Sequence, residues 1–393
     1  MAAASPAQQD YLQRLYSLAR QDSLNGIVDQ TKRVRLRYWT HWTHFCQVLH
    51  DGMDPFLSGA TDQEKVALLE AFARYVREGN AGRGHQVRSG SVSDAICAIG
   101  KTFEMACLPN PTYQPTAYGQ HWEPLKNILR SYRRTDPKSR PQLAVPVAVP
   151  EHLLASLAAA SPCPLQEATA DLANIAFYYL LRVGEYTRPR NTKTLTQPFS
   201  VMHITFRDSN GNLIPNDSPL SVLLTAAEAT IRIPDQKNGV KGQCIHVQCT
   251  GSKFSPIKSL ARRVHHILSN GGTQATPIYY YHYQLFTNWR QVTADHISKA
   301  IKQAAGEIGL YRLGYEPADL SSHSLRAGGA MAMHLNKILL DTITIRKMGR
   351  WKSDTFLMYI HEQISAFAAG VSLKMSNAIP FRHIAGPTVS TPA

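Results

Sequence analysis

Apolar side chains recur at three- and four-residue spacing over roughly the first 150 residues, between stretches that carry Gly or Pro. This period places apolar groups on one face of a helix and therefore predicts a helical bundle. The clearest stripe, within 32–50, consists of Tyr38, Trp39, Trp42, Phe45 and Leu49. Further helices are predicted at 62–78, 91–106 and 120–134. We assign residues 1–136 to this first domain.

Prolines mark the segment that follows. Between 135 and 150 the chain has no helical period and contains Pro137, Pro141, Pro146 and Pro150. Such a composition is typical of an extended, semi-rigid connection. We therefore predict a Pro-rich linker at 137–150 and a second domain at 151–393.

The pattern of the second domain is mixed. Four short strand-like segments occur at 201–208, 221–226, 229–235 and 243–249, with turn signals at Asn210-Gly211 and Asn238-Gly239, which predicts a small antiparallel sheet. Helical periods are found at 165–185, 255–268, 294–308, 323–335, 343–348 and 354–364. The predicted fold is mainly α with a small antiparallel β-sheet, an α+β class.

The net charge of the chain predicts a binding partner. The 42 Lys and Arg residues outnumber the 28 Asp and Glu residues, giving a net charge of +14, and a surplus of this size predicts binding to a polyanion such as DNA. No apolar run reaches the roughly 20 residues of a membrane span, and the amino end lacks the pattern of a signal peptide. We expect a soluble intracellular protein, nuclear in a eukaryote and otherwise cytoplasmic with the nucleoid.

Several enzyme classes lose support. The sequence has no P-loop, no G-x-G-x-x-G after a strand, no H-E-x-x-H and no G-x-S-x-G, and its six cysteines form no C-x-x-C pair. Carboxylates are not grouped as a two-metal nuclease requires. We expect no cofactor and no metal, so that any phosphoryl chemistry would depend on cationic side chains.

Two short motifs offer such cations. In HSLRAGG, His323 and Arg326 are three residues apart and share a helix face, and the small residues after them allow a close approach of another backbone. Imidazole and guanidinium groups together can donate to phosphate oxygens. Further along, GRW contains Arg350 and Trp351, and Tyr359 follows in the next predicted helix.

In this order the motifs resemble the catalytic core of the tyrosine recombinases, the superfamily of phage integrases and Xer recombinases. The family's first arginine corresponds to Arg182, which precedes a glutamate by three residues in RVGE. Its hairpin lysine corresponds to Lys237, with Lys241 as the alternative. The G-R-W motif is similar to that of eukaryotic mobile-element (Crypton-like) recombinases, and either Arg350 or Trp351 replaces the family's second histidine.

The resemblance implies metal-independent cleavage and rejoining of double-stranded DNA through a 3′-phosphotyrosyl intermediate. Tyr359 would be the nucleophile, Arg182 and Arg326 would stabilise the phosphate charge with His323, and Lys237 would protonate the leaving 5′-oxygen. It further implies a helical core-binding domain at the amino end, a C-terminal oligomerisation tail and a homo-tetramer on two DNA sites.

Other cations are predicted to contact the DNA backbone: Lys32, Arg33, Arg37, Arg88, Lys126, Arg130, Arg133, Lys241 and Arg350. Two alternatives share parts of this prediction. One is a non-catalytic DNA-binding protein that retains the fold, and the other is an enzyme like the type IB topoisomerases.

Overall fold

The computed structural model describes residues 5–82, 84–115, 117–137, 143–159, 161–189, 196–236, 240–283, 286–335, 342–351 and 357. The chain divides into two compact units, Met1–Ser139 and Arg140–Ala393. No helix within the described ranges is long and apolar enough to cross a membrane.

The first unit is helical, with one short hairpin. Its elements are α1 (Pro6–Asn25), α2 (Asp29–Leu49), α3 (Asp62–Arg77), α4 (Ser89–Met105), β1 (Tyr113–Gln114), β2 (Ala117–His121) and α5 (Glu123–Thr135). The four predicted helices are confirmed as α2 to α5. The hairpin was not predicted, because its strands are too short to show a period of two.

Aromatic side chains form the centre of the first core. Trp42 is fully buried, stacks on Phe45 and meets the edge of Phe72. Its indole N–H donates to the carbonyl of Pro55 at 2.8 Å, so the one polar atom of the buried ring has a hydrogen-bond partner. The predicted stripe on α2 is therefore the core face of that helix.

The second unit contains nine α-helices and six strands among its described residues. They are α6 (Ala148–Ala159), α7 (Pro164–Tyr178), α8 (Val183–Tyr186), β3 (Ile204–Arg207), β4 (Leu213–Ile214), α9 (Leu220–Leu223), β5 (Glu228–Asp235), β6 (Lys241–Gln248), α10 (Pro256–Ser269), β7 (Tyr280–Tyr283), β8 (Phe286–Gln291), α11 (Ala294–Ile308), α12 (Leu310–Leu313), α13 (His323–Leu335) and α14 (Thr342–Gly349). This confirms the α+β class.

The described residues of this unit form two antiparallel sheets. The larger has strand order β4-β3-β5-β6, and β7 pairs with β8 in the other. The β5 and β6 strands pair along their length, ending where Asp235 faces Lys241. The predicted Asn238-Gly239 turn lies outside the described residues. At the other predicted turn Gly211 has φ +83°, a conformation that favours glycine.

Three predicted elements differ from the structure. The linker at 137–150 is too long, because Val145 and Val149 are buried in the second core and α6 already begins at Ala148. Proline is tolerated in the first turn of a helix, where its missing N–H is not needed. The segment 221–226 was predicted as a strand but overlaps the short helix α9, and the helix predicted at 165–185 is interrupted between α7 and α8.

Candidate active site

The break after α7 positions the first arginine. Leu180 is fully buried and has φ +51°, in the left-handed region that seldom accommodates a side chain. The chain then runs extended through Arg182, with φ −78° and ψ 144°, before α8 begins. The sequence pattern predicted that Arg182 lies inside a long helix at 165–185. In the structure it lies instead at the start of a short helix.

Small residues bring α13 against α7. A β-carbon on Gly328 would collide with the carbonyl oxygen of Val145, and one on Gly329 with the carbonyl oxygen of Phe177. The predicted role of the Ala-Gly-Gly stretch, which is to let another backbone approach closely, is confirmed.

That close approach carries Arg326 to the end of α7. Only 2% of Arg326 is exposed, and its two terminal nitrogens donate to the carbonyl oxygens of Leu180 and Gly349. His323 is the first residue of the same helix and is partly exposed. His323 and Arg326 therefore lie on one helix, as their spacing in HSLR predicted. Arg326 is buried against two main-chain acceptors.

Trp351 covers the other side of Arg326. The guanidinium carbon lies 4.4 Å from the centre of the indole ring, which is a cation–π geometry. The ring also packs directly on Gly349, where a β-carbon would overlap it. This contact gives a physical reason for the glycine of the G-R-W motif.

Arg350 forms a buried ion pair with Glu185. Its Nη1 donates to Oε1 at 2.9 Å and its Nη2 to Oε2 at 2.8 Å, and the two side chains are 1% and 0% exposed. Nη2 also donates to the carbonyl of Leu180 at 3.1 Å. The structure thus places the guanidinium of Arg350 in the protein interior, away from the surface position that a contact with the DNA backbone requires.

The ion pair keeps Glu185 charged. Burial alone would raise the pKa of this carboxyl, but the charge and hydrogen bonds of Arg350, together with those of Arg182, outweigh burial and lower the pKa below its ordinary value. Glu185 is therefore an anion between two cations.

Arg182 links this anion to the hairpin of β5 and β6. Its backbone N–H and its Nη1 donate to Glu185 at 2.8 and 3.2 Å, and Nη1 also donates to Gln236 at 3.4 Å. Gln236 is 1% exposed and donates in turn to Gln243 on β6 at 2.8 Å. One-quarter of the Arg182 side chain remains exposed, so it is the accessible cation of this group.

The structure brings together Arg182, Arg326, Arg350 and Trp351. Lys237 and Tyr359 lie outside the described residues, and Lys237 follows Gln236 directly in the sequence. Lys241, the alternative lysine, is on β6 with 78% of its side chain exposed, 3.7 Å from Asp235.

Most of the other predicted DNA contacts belong to the first unit. Exposed among them are Arg33, Arg37, Arg88, Arg130 and Arg133, of which Arg130 pairs with Glu123 at 3.0 Å. Lys32 and Lys126 are partly exposed, and each has an acidic neighbour three residues away on its own helix: Asp29 at 3.7 Å and Glu123 at 3.3 Å. Their positions leave these side chains accessible to a polyanion.

Sequence reasoning missed two participants of the site. The Leu180 carbonyl, which accepts from two arginines, has no signal in the sequence, since a leucine with positive φ is not predictable from its neighbours. Gln236 had a weak signal, its place immediately before the predicted lysine. No group of His, Cys, Asp and Glu within the described ranges is arranged to hold a metal ion.

Comparisons with known proteins identify distant structural neighbours. Neither a scan against protein-family models nor a search of curated proteins found a match. Among solved structures, the Tn1549 transposon integrase in complex with transposon right end DNA is 12% identical, with 92% of this chain and 98% of that chain covered and a TM-score of 0.47. XerA recombinase is 16% identical, with 89% and 100% covered and a TM-score of 0.36. These likenesses are distant.

Proposed function

We propose that the protein is a tyrosine-type DNA recombinase that cleaves and rejoins DNA through a 3′-phosphotyrosyl intermediate without a metal ion. One observation carries the proposal: side chains from motifs far apart in the sequence meet in one hydrogen-bonded network. It runs from Arg326 through the Leu180 carbonyl to Arg350, and from there through Glu185 to Arg182 and Gln236. A packing role alone would not require two arginines on one buried carboxylate.

The chemistry explains the need for several cations. The hydroxyl of Tyr359 would form a bond to phosphorus while the bond to the 5′-oxygen breaks, and the transition state gains negative charge. Arg182 and Arg326 supply permanent positive charge. His323 donates to the phosphate or accepts the tyrosine proton, because an imidazole titrates near physiological pH. Lys237, or Lys241 in its place, protonates the departing 5′-oxygen.

The partner in this proposal is double-stranded DNA. The net charge of +14 favours it, and the first unit, with its exposed arginines, would act as the core-binding domain. The four protomers of a homo-tetramer would hold two DNA sites, so that strands can be exchanged between them. The reaction serves integration or recombination, as expected of a protein from a mobile element.

Capture of the covalent intermediate tests the proposal. Wild-type protein is incubated in EDTA with a pool of nicked duplexes of random sequence, denatured, and analysed for protein-linked DNA by gel shift and sequencing. We expect an adduct that Tyr359→Phe abolishes. The matched control is Tyr311→Phe, which removes the hydroxyl of a fully exposed tyrosine of α12 and should leave the adduct unchanged. An adduct of wild-type yield from Tyr359→Phe would contradict the proposal.

A non-catalytic DNA-binding protein is the second candidate. It is favoured by Arg326, which is 2% exposed and already donates to two carbonyl groups, and by an arginine in the place of the family's second histidine. Recovery of bound duplexes from the same pool without any adduct would identify this function. Relaxation of supercoiled plasmid without a preferred site would instead identify an enzyme like the type IB topoisomerases.

A further inference from the structure

We propose that Arg350 is a positioning residue of the active site, which holds the Glu185 carboxylate in the one geometry that fixes Arg182. The inference rests on the proposed function and deepens it, because the G-R-W motif left the role of its arginine open. Arg350 contacts no substrate in this proposal and acts through Glu185.

The two terminal nitrogens of Arg350 already donate to protein acceptors, whereas Nε is buried without a hydrogen-bond partner among the described residues. Nη1 donates to one oxygen of Glu185, and Nη2 donates to the other oxygen and to the Leu180 carbonyl. The side chain is 1% exposed. A phosphate could reach these nitrogens only if the buried carboxylate lost its partner, which is unfavourable for a charge in the protein interior. Arg350 is therefore poorly placed as a phosphate ligand.

Glu185 uses its full acceptor capacity. Oε1 accepts from Nη1 of Arg350 at 2.9 Å and from Nη1 of Arg182 at 3.2 Å. Oε2 accepts from Nη2 of Arg350 at 2.8 Å and from the backbone N–H of Arg182 at 2.8 Å. Two hydrogen bonds on each oxygen fix both the position and the rotation of a carboxylate. Removal of Arg350 would leave the carboxylate free to turn and Arg182 without a fixed partner.

The local backbone supports a dedicated role for the side chain. Arg350 follows the end of α14 with φ +59°, a position after a helix where glycine is the favoured residue. An arginine there is strained, and its buried ion pair offsets the strain. Only a planar guanidinium can bind both carboxylate oxygens in parallel, so lysine cannot replace it.

Three variants separate positioning from folding. Arg350→Lys keeps the charge and loses the paired hydrogen bonds. Arg350→Met leaves the Glu185 carboxylate without its guanidinium partner, and the double variant Arg350→Met/Glu185→Gln removes both charges of the pair. All keep a β-carbon at position 350, so the backbone strain is matched. The control is Arg262→Met, which breaks a second ion pair of this unit, where Nε of the partly exposed Arg262 donates to the buried Asp171 at 3.0 Å.

Melting temperature, DNA affinity and the single-turnover rate of adduct formation at saturating DNA are measured below each melting temperature. Arg350→Lys and the double variant should melt near the wild type and form adduct about 10- to 100-fold more slowly, with affinity within about 3-fold of wild type. Arg350→Met should show the same loss of rate and a lower melting temperature. Arg262→Met should melt lower and react at the wild-type rate.

Two results would overturn the inference. The first is a wild-type rate of reaction in Arg350→Lys or in the double variant, which would make the pair structural only. The second is a loss of affinity in Arg350→Met together with about one unit of the salt-dependence slope, which is the signature of a phosphate contact. Failure of the proposed function is distinguishable, because the wild type itself would then form no adduct dependent on Tyr359.

Discussion

The role of each arginine in this protein follows from what surrounds its guanidinium group. Arg326 and Arg350 are buried and donate to carbonyl and carboxylate oxygens, whereas Arg182 keeps one-quarter of its side chain exposed. Arg133, on α5, is exposed. Substitution of Arg350 should therefore change the geometry of the site, and substitution of Arg182 or Arg326 the stabilisation of the scissile phosphate. Substitution of Arg133 should change the affinity for the DNA backbone.

Substitutions of Trp351 can separate the contribution of its ring face from that of its indole N–H. Its ring face lies 4.4 Å from the guanidinium carbon of Arg326, so we expect the face, and not the indole N–H, to matter for the reaction. Trp351→Phe should retain adduct formation within about 3-fold, and Trp351→Ala should lose about 10-fold, within the range of a desolvated cation–π contact. Equal losses in the two variants, measured as single-turnover rates, would instead identify the N–H as the functional group.

Short-range spacing made some of these residues predictable. His323 and Arg326 share α13 because three residues are nearly one helical turn, and the small residues beside them indicated close packing. The pairing of Glu185 with Arg350 was not predictable, because it joins distant parts of the chain. It also depends on the positive φ angles of Leu180 and Arg350, for which neither residue type gives a signal.

One ion pair ties three helices of the first unit together. Asp136, just after α5, accepts from the hydroxyl and the backbone N–H of Ser89 at 2.6 and 2.9 Å and from Arg77 of α3. Ser89 is the first residue of α4, so the carboxylate also satisfies a free N–H at a helix start. Arg77 is 3% exposed and lies over the ring of Tyr132.

This cluster predicts an acid-sensitive first unit. The Ser89 hydroxyl, and after it the Arg77 guanidinium, outweigh partial burial and hold the pKa of Asp136 at about 2, down from 3.8. A carboxyl with a depressed pKa stabilises the fold above its unfolded pKa and loses that contribution as the pH falls towards 2. Urea unfolding between pH 5 and 2 should show this loss in the wild type. Asp136→Asn should be less stable at pH 5 and should change less with pH, and an unchanged profile would contradict the assignment.

Helices were predicted better than their interruptions. The apolar period in α2 to α5 extends over several turns and is decided within each segment. The break after α7 and the short helix α9 are decided by packing, since an apolar run of four to six residues suits a buried strand or a helix equally well. The hairpin of β5 and β6, with longer alternating strands, was recovered from its pattern.

The whole chain carries its surplus charge in two kinds of position. Exposed cations of the first unit would bind the duplex backbone without regard to sequence, while Arg182 and Arg326 would act at one phosphate. Binding of the first kind is weakened by salt because counterions are released from the DNA.

Arg133→Gln tests this division. It should weaken DNA affinity, reduce the slope of log affinity against log salt by about one, and leave the rate of adduct formation at saturating DNA unchanged. Arg74→Gln is the control, since Arg74 is exposed but paired with Glu78 at 2.8 Å. An equal loss of slope in both variants would show that general charge, and not the α5 surface, determines binding.

The most direct test of the account is to find the atom to which DNA becomes attached. Adduct formed by the wild-type protein is digested with protease and nuclease, and the nucleotide-bearing peptide is sequenced by mass spectrometry. We expect a single modified residue, Tyr359, joined through its hydroxyl to a 3′-phosphate. Attachment at any other residue, or through a 5′-phosphate, would contradict it.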